Sequence, residues 1–309
     1  MCITFIKLSP KDKLKFIIGF NREVELTKPT RQAGFWPDDQ NILGGLDLAL
    51  GGACLAINVK TGHIAILTNY SELPREELYK LNKKSRGDIV RNWVQSNFYE
   101  INSWPPEIAS KKYMEKVLSE RIQYNPFNLI VGKVNDPELK FFGLDFMSNI
   151  IEELLHNKFI GMSNSSFKCP YPKLSKGLDY LNNEEILAND PKQKLNKLLQ
   201  NRDNYMAGSR YDPDDSVFVD PYFAQYRLFI IGTISTTVIC VDAENSFTLD
   251  EKFYTFPQIR TDQDQSVSSR RKLRRVFNKI KAINNIVKNQ DYQTACLLTT
   301  VTGSIGVNK

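Results

Sequence analysis

The sequence has only two histidines, His63 and His156, in 309 residues. Their wide separation excludes a zinc site of the HExxH kind or one built from close pairs of two cysteines and two histidines. Its five cysteines (Cys2, Cys54, Cys169, Cys240 and Cys296) are odd in number, widely spaced and form no CxxC pair. Such usage predicts mostly free, buried thiols in a reducing compartment. No GxGxxG or GxxxxGK[ST] occurs, so nucleotide chemistry has no support, and Gly44-Gly45 and Gly51-Gly52 read as turn glycines. No GxSxG serine elbow is present. The longest weakly polar run, Leu228 to Val241, is interrupted by Thr233, Ser235, Thr236 and Thr237. It stops short of the about 20 apolar residues that a spanning helix needs, and reads as one or two buried strands.

The start, Met1-Cys2-Ile3-Thr4-Phe5-Ile6-Lys7, lacks the basic opening and the apolar length of a secretory leader. An Arg-rich amphipathic transit peptide is also missing. A cytoplasmic, non-secreted protein is expected, and the sequons Asn69-Tyr70-Ser71 and Asn164-Ser165-Ser166 are then incidental. What is present is ordinary for a globular chain: 41% hydrophobic and 25% charged residues. A chain of this length buries about 75% of the surface that its unfolded form exposes, and needs no disulfide or metal to fold.

The net charge of +6 is local. Arg270, Arg271, Lys272, Arg274, Arg275, Lys279, Lys281 and Lys288 fall in one span without an acid, and the remainder is net negative. Leu273, Val276, Phe277, Ile280, Ile283 and Val287 recur there at helical spacing, after Ser268 and Ser269 as possible caps. Two readings stand. One is a basic helix meeting anionic membrane through Arg270, Arg271, Arg274 and Arg275. The other is a helix that packs its single apolar stripe on the domain and solvates its charges. No nucleic acid is expected as a partner.

Periodicity predicts strands at residues 2–7, 16–20, 53–59, 63–69, 127–133, 158–162, 227–232, 236–242 and 246–255. It predicts helices at about 75–83, 87–97, 109–122, 147–157, 183–201 and 269–289. Residues 203–220 read as a surface loop, and those after about 290 as a polar, weakly ordered tail. Strands at both ends with helices between suggest layered α and β around a largely antiparallel sheet or sandwich. We place one domain at 1–265 and treat 266–309 as a basic helix and tail packed on it.

Cys2 carries the sharpest chemical signal. If Met1 is trimmed, Cys2 offers a thiol and an α-amine on one residue, and an amine with a pKa of about 7.7–8.0 can accept the thiol proton. That is the logic of an N-terminal nucleophile, which also needs donors for an oxyanion. A small buried residue opening a strand is the plain alternative. Asn21-Arg22-Glu23, at the end of the second strand, would return beside Cys2 in a hairpin. Arg22 would lower the thiol pKa or hold an anion, and Glu23 would orient the amine. A structural Arg–Glu cluster is the competing reading.

From these residues onward the chain resembles a known family. Met1-Cys2-Ile3 and Asn21-Arg22-Glu23 are followed by Lys28-Pro29-Thr30, Ala33-Gly34-Phe35-Trp36 and Gly44-Gly45-Leu46-Asp47. Next come Gly51-Gly52-Ala53-Cys54-Leu55-Ala56-Ile57, Leu67-Thr68-Asn69-Tyr70 and Ser85-Arg86-Gly87. Tyr124-Asn125-Pro126-Phe127-Asn128, Gly161-Met162-Ser163-Asn164, Pro170-Tyr171-Pro172-Lys173 and Val241-Asp242-Ala243 complete an ordered set over roughly residues 1–255. This set resembles the transport and Golgi organisation protein 2 family, also called NRDE after its signature.

The resemblance implies an α+β, four-layer αββα sandwich like that of N-terminal nucleophile hydrolases. It implies roles in intracellular haem trafficking from storage organelles or mitochondria, in Golgi organisation and secretion, and in lipid and acyl-CoA homeostasis. No cofactor is required, and haem or an acyl-lipid would be the transported ligand. Cys2, Arg22, Glu23, Asn69 and Asn164 are the positions for catalysis if the site is active as an amidohydrolase on C–N bonds. Asn21, Arg22, Tyr70 and Arg86 are the positions for binding. His63 and His156 are the candidate haem ligands. The chain departs from the family pattern at Glu23, where Asp is usual, and at Val24, where Glu is usual. It also has Cys54 for a Trp, and Ile234 for a late arginine that related amidases place beside their nucleophile.

Overall fold

The computed structural model describes residues 2–71, 82–96, 103–183, 190–203, 216–224, 229–255 and 295–306. Among the described residues, fourteen strands form two antiparallel sheets. The first contains β1 (Ile3–Leu8), β2 (Leu14–Glu25), β10 (Phe159–Met162), β11 (Tyr222–Ala224), β12 (Phe229–Asp242), β13 (Ser246–Thr255) and β14 (Ala295–Ser304). Its order is β10-β1-β2-β12-β13-β14, with β11 on β12. The second is a meander in chain order: β3 (Thr30–Phe35), β4 (Ile42–Asp47), β5 (Leu55–Asn58), β6 (His63–Asn69), β7 (Phe127–Lys133), β8 (Phe142–Asp145) and β9 (Ile150–Glu153). The helices are α1 (Gly87–Val94), α2 (Pro106–Ser119), α3 (Pro172–Asn182) and α4 (Pro191–Leu199).

The layers follow from side-chain alternation. On β1 and β2, Ile6, Leu8, Phe16, Ile18 and Phe20 meet Leu43, Ile57, Ile64, Ile66 and Ile130 of the other sheet and fill the space between them. Ile3, Phe5 and Ile17 point the opposite way, onto Leu174 and Leu181 of α3 and Leu195, Leu198 and Leu199 of α4. The far face of the second sheet is covered by Ile89, Val90 and Trp93 of α1 and Tyr113, Met114 and Val117 of α2. The result is the α+β four-layer αββα sandwich. Both faces of β2 are covered, so its sequence is nearly continuously buried. At Gly177 a Cβ would come within 2.6 Å of the Phe5 ring, so only glycine lets α3 lie this close to β1.

Several expected elements are corrected. The 147–157 segment is strand β9, paired with β8 from Phe142–Glu153 to Asp145–Ile150, and not a helix. Its apolar spacing fits either period, but Asn149 and Asn157 take positive φ (55° and 64°) and cut it off at both ends. Within 183–201 only Pro191–Leu199 is helical among the described residues, and α3 precedes it. Helices α2, α3 and α4 each begin at a proline, which suits the first turn because its missing N–H has no partner there. The expected tail after 290 supplies β14, paired to β13 over ten residues. Val217, Phe218 and Val219 of the expected surface loop are buried. The predicted helix at 269–289 and most of that at 75–83 lie outside the described residues. No described helix is long and apolar enough to cross a membrane.

Strand β2 does not end at Asn21-Arg22-Glu23. It runs on to Glu25, pairing with β12 as far as Glu25–Ile231. Glu23 therefore faces the outer helical layer, where its carboxylate lies 3.6 Å from Lys173 Nζ of α3, both side chains at 0% exposure. Removing one member of a buried pair costs about 3–5 kcal/mol. Lys173→Met is expected to lower unfolding free energy by about that amount, and adding Glu23→Gln to recover much of it. Urea denaturation of the two variants reads this, and an unchanged midpoint in Lys173→Met would refute it.

Candidate functional site

Cys2 precedes β1 and belongs, with Ile6 and Leu8, to the layer between the sheets. Cys54 stands just ahead of β5 on the opposing sheet and packs against the same layer. The two thiols act directly on each other's ionisation, and Cys2 Sγ donates to the Glu23 carbonyl at 3.8 Å. Both thiols line a cleft of about 260 Å³ at this end of the sandwich.

The charges around the pair separate the two sulfurs. The neighbouring Cys2 thiol favours a thiolate on Cys54, and Arg22, Lys28 and Arg86 add to it. Against the opposing effect of burial, Cys54 is lowered to about 6. Cys2 is raised by its interaction with Cys54 and then by burial. The surroundings therefore favour the thiolate on Cys54 over Cys2, at a position that the sequence marks as a departure from the family pattern.

The Asn21-Arg22-Glu23 signature is divided by strand alternation. Arg22 alone points between the sheets, toward Cys54, Ser235, Thr237 and Glu251. It is 5% exposed, and its Nε has no hydrogen-bond partner among the described residues. Glu251 accepts from the Ala33 N–H at 2.6 Å and from Thr237 Oγ1 at 3.2 Å. Burial raises its pKa against those bonds and the charge of Arg22. Asn21 turns outward, where its Nδ2 donates to the Leu199 and Val217 carbonyls, both at 2.9 Å. Its Oδ1 accepts from Thr236 Oγ1 at 2.7 Å. Asn21 thus ties β2 to the end of α4. The Glu23 side chain is on that same outer face beside Lys173, while its carbonyl accepts from Cys2 Sγ and its charge adds to the rise of the Cys2 pKa.

Asn69, at the end of β6, lines the cleft. Asn164 follows β10; continuing the Thr4–Met162 pairing by two residues brings it opposite Cys2. Its Nδ2 donates to the Asn69 carbonyl, and its buried Oδ1 has no hydrogen-bond partner among the described residues. Tyr70 N–H and Arg86 Nη1 share the Pro126 carbonyl, at 3.1 and 2.9 Å. This holds Arg86 at the mouth, where it precedes α1.

The two histidines stand away from this cleft. His63 bonds Thr61 Oγ1 at 2.8 Å and meets the Trp93 ring edge-on. Burial, then the nearby Lys133 charge, lowers it to about 4, so it is neutral. His156 Nε2 is 3.3 Å from the Leu139 carbonyl. Among the described residues no group of three or more metal-ligating side chains occurs.

The cleft wall holds five basic residues, Arg22, Lys28, Lys83, Lys84 and Arg86, against one acid, Asp47, which pairs with Lys28 at 2.5 Å. With the thiols, the signature arginine and this wall in place, the comparison with known proteins is decisive: a family model described as Transport and Golgi organisation 2 matches residues 1–255. The chain belongs to that family. Relatives named Transport and Golgi organization 2 homolog from Mus musculus (27% identical) and Transport and Golgi organization protein 2 homolog from Homo sapiens (26%) align over 272 residues. That is 82% of this chain and 92% of each. Transport and Golgi organization protein 2 of Drosophila melanogaster is 22% identical, over 82% of this chain and 93% of its own. A solved structure, a Caenorhabditis elegans ortholog of N-acylethanolamine-hydrolyzing acid amidase, aligns over 77% of this chain and 92% of its own. At 11% identity and a TM-score of 0.37 that likeness carries no argument.

Within this family frame, the Ile234 departure has a visible place. Ile234 is the extra residue of a bulge, between the Thr233–Glu23 and Ser235–Arg22 pairs. It is buried beside the signature, and the cation near Glu23 is Lys173 from α3. Lys173, Glu251 and the reactivity of Cys54 were missed from sequence, because each depends on a partner more than 100 residues away or on the opposing sheet.

Iodoacetamide alkylation of Cys54 is expected to follow its thiolate: half-maximal near pH 6 and flat above about pH 7, where an unperturbed thiol of pKa about 8.5 would still be climbing. Peptide mass spectrometry across pH 5–9 measures this. A rate that keeps rising through pH 8–9 would show that the charges do not favour Cys54.

Proposed function

We propose that this family member binds and hands on an anionic, amphipathic ligand of the haem or acyl-CoA class, with the cleft at Cys2 and Cys54 receiving the anionic end. The observation that carries this reading is the cleft's charge, five bases to one acid, with a buried Arg22 donor directed into the space between the sheets. Basic donors in a partly enclosed cleft favour carboxylates and phosphates, which bond them with charge assistance. Haem presents carboxylates and acyl-CoA presents phosphates. Apolar lining from Val24, Leu50, Ala53 and Leu67 supports a ligand that also has an apolar part. The protein would act in the cytoplasm, in association with mitochondria, the Golgi or storage organelles. The names of its relatives support a part in transport and Golgi organisation. The basic span holding Arg270, Arg271, Arg274 and Arg275 is the sequence feature that supports contact with an anionic membrane.

Haem titrated into the pure protein is expected to give a saturable Soret change that an acyl-CoA displaces. Lys84 is exposed on the wall, and Lys84→Glu should weaken binding roughly ten-fold, about 1.4 kcal/mol. Added salt should weaken it further. No saturable binding of either ligand would overturn the proposal.

A second reading, an N-terminal cysteine amidohydrolase acting on C–N bonds, has one observation in its favour: Cys2 heads β1 with Asn164 opposite it by register. Catalysis would need Met1 removed, so that the Cys2 α-amine serves as base and Asn69 or Asn164 as oxyanion donors. Any amidase activity of protein lacking Met1 is then expected to vanish in Cys2→Ala. Activity that survives the substitution would rule this mechanism out.

A further inference from the structure

We propose that Cys2 and Cys54 form a peroxide-sensitive dithiol, in which oxidation closes a disulfide across the two sheets at the inner end of the cleft. The argument is geometric. The two thiols share the layer between the sheets and line one cleft, where each acts directly on the other, so closure replaces a thiol–thiol contact by an S–S bond of about 2.05 Å. They come from opposing sheets, ahead of β1 and ahead of β5. Both line the cleft, which gives a small oxidant a route to them. The other cysteines lack this arrangement: Cys240 packs in the outer layer beneath α4, and Cys169 and Cys296 are exposed elsewhere.

The roles divide between the sulfurs. Arg22, Lys28 and Arg86 surround Cys54 and favour its thiolate, which is the form that attacks a peroxide. Cys54 S⁻ attacks the terminal oxygen of a hydroperoxide. The S–O bond forms, the O–O bond breaks, and the alkoxide or hydroxide leaves with a proton from solvent. Cys2, the protonated partner, then attacks the sulfenyl sulfur. The S–S bond forms, the S–O bond breaks, and hydroxide leaves with the Cys2 proton as water. Two thiols lose two electrons in all, and one hydroperoxide becomes an alcohol (or water) plus water. Dithiothreitol reverses the step. Neither removal of Met1 nor the identity of the cleft's ligand enters this chemistry. Oxidised protein would present no thiol to whatever the cleft holds.

The test uses the full chain and hydrogen peroxide itself. After brief exposure at pH 7, intact mass should fall by two hydrogens. Non-reducing peptide mapping should show a Cys2–Cys54 cross-link, formed at least about ten-fold faster than any oxidation of exposed Cys169. In Cys2→Ser, Cys54 should instead stop at sulfenic acid and be trapped by dimedone. Cys54→Ser should lose the fast phase. The wild-type map alone decides the matter if a variant does not fold. Absence of the cross-link, a cross-link to a different cysteine, or no dimedone adduct at Cys54 in folded Cys2→Ser would each overturn the proposal.

Discussion

Strand alternation along β2 is the constraint from which the site follows. This strand lies in the middle of its sheet and is covered on both faces, so each polar side chain that it carries must find a buried partner on its own side. Arg22 goes inward to the thiols and Glu251. Asn21 and Glu23 go outward, to the end of α4 and to Lys173 of α3. A contiguous three-residue signature thus becomes two structural anchors and one site residue. The anchors hold the strand that presents Arg22, and through it the electrostatics of Cys54.

Burying these charges has consequences for both faces. A charge taken from water is expensive unless it is paired or solvated by fixed dipoles. On the outer face, Glu23 and Lys173 offset one another at 3.6 Å. On the inner face, Glu251 is held by a backbone N–H and Thr237 near Arg22. The bulge at Ile234 lets β12 serve both arrangements, because it resets the register between the partners of Glu23 and Arg22. An arginine at position 234 would add a second cation to a region where Lys173 already stands beside Glu23.

Much of the fold was legible in the sequence. Strands β6, β7 and β13 occupy the predicted residues, and α1 begins where its pattern begins, because period-two and helical spacing are local properties. The misreadings have local causes too. Ile150, Ile151, Leu154 and Leu155 fit two periods, and only positive-φ asparagines and pairing with β8 decide for a strand. β3 and β4 were not anticipated: β3 is only partly buried, and β4 contains Gly44-Gly45, which read as a turn. β14 is an exposed edge strand of mixed threonines and leucines, recognisable once β13 offers it a partner.

For the site, the sequence by itself determined the chemical inventory: a cysteine at position 2, the Asn21-Arg22-Glu23 signature, a second cysteine where the family pattern has tryptophan, and two histidines too far apart for an HExxH zinc site. It also determined the family and, through that resemblance, the αββα sandwich; periodicity alone reached layered α and β around a largely antiparallel sheet or sandwich. The tertiary structure alone decided which of these residues meet. Cys2 and Cys54 are far apart in sequence and belong to opposing sheets, yet their thiols line one cleft; Arg22 and Glu23 are adjacent in sequence, yet lie on opposite faces. Which thiol is ionised depends on the distances to Arg22, Lys28 and Arg86 inside a desolvated space. Coulomb interactions and burial act through space rather than along the chain, so no local pattern records them.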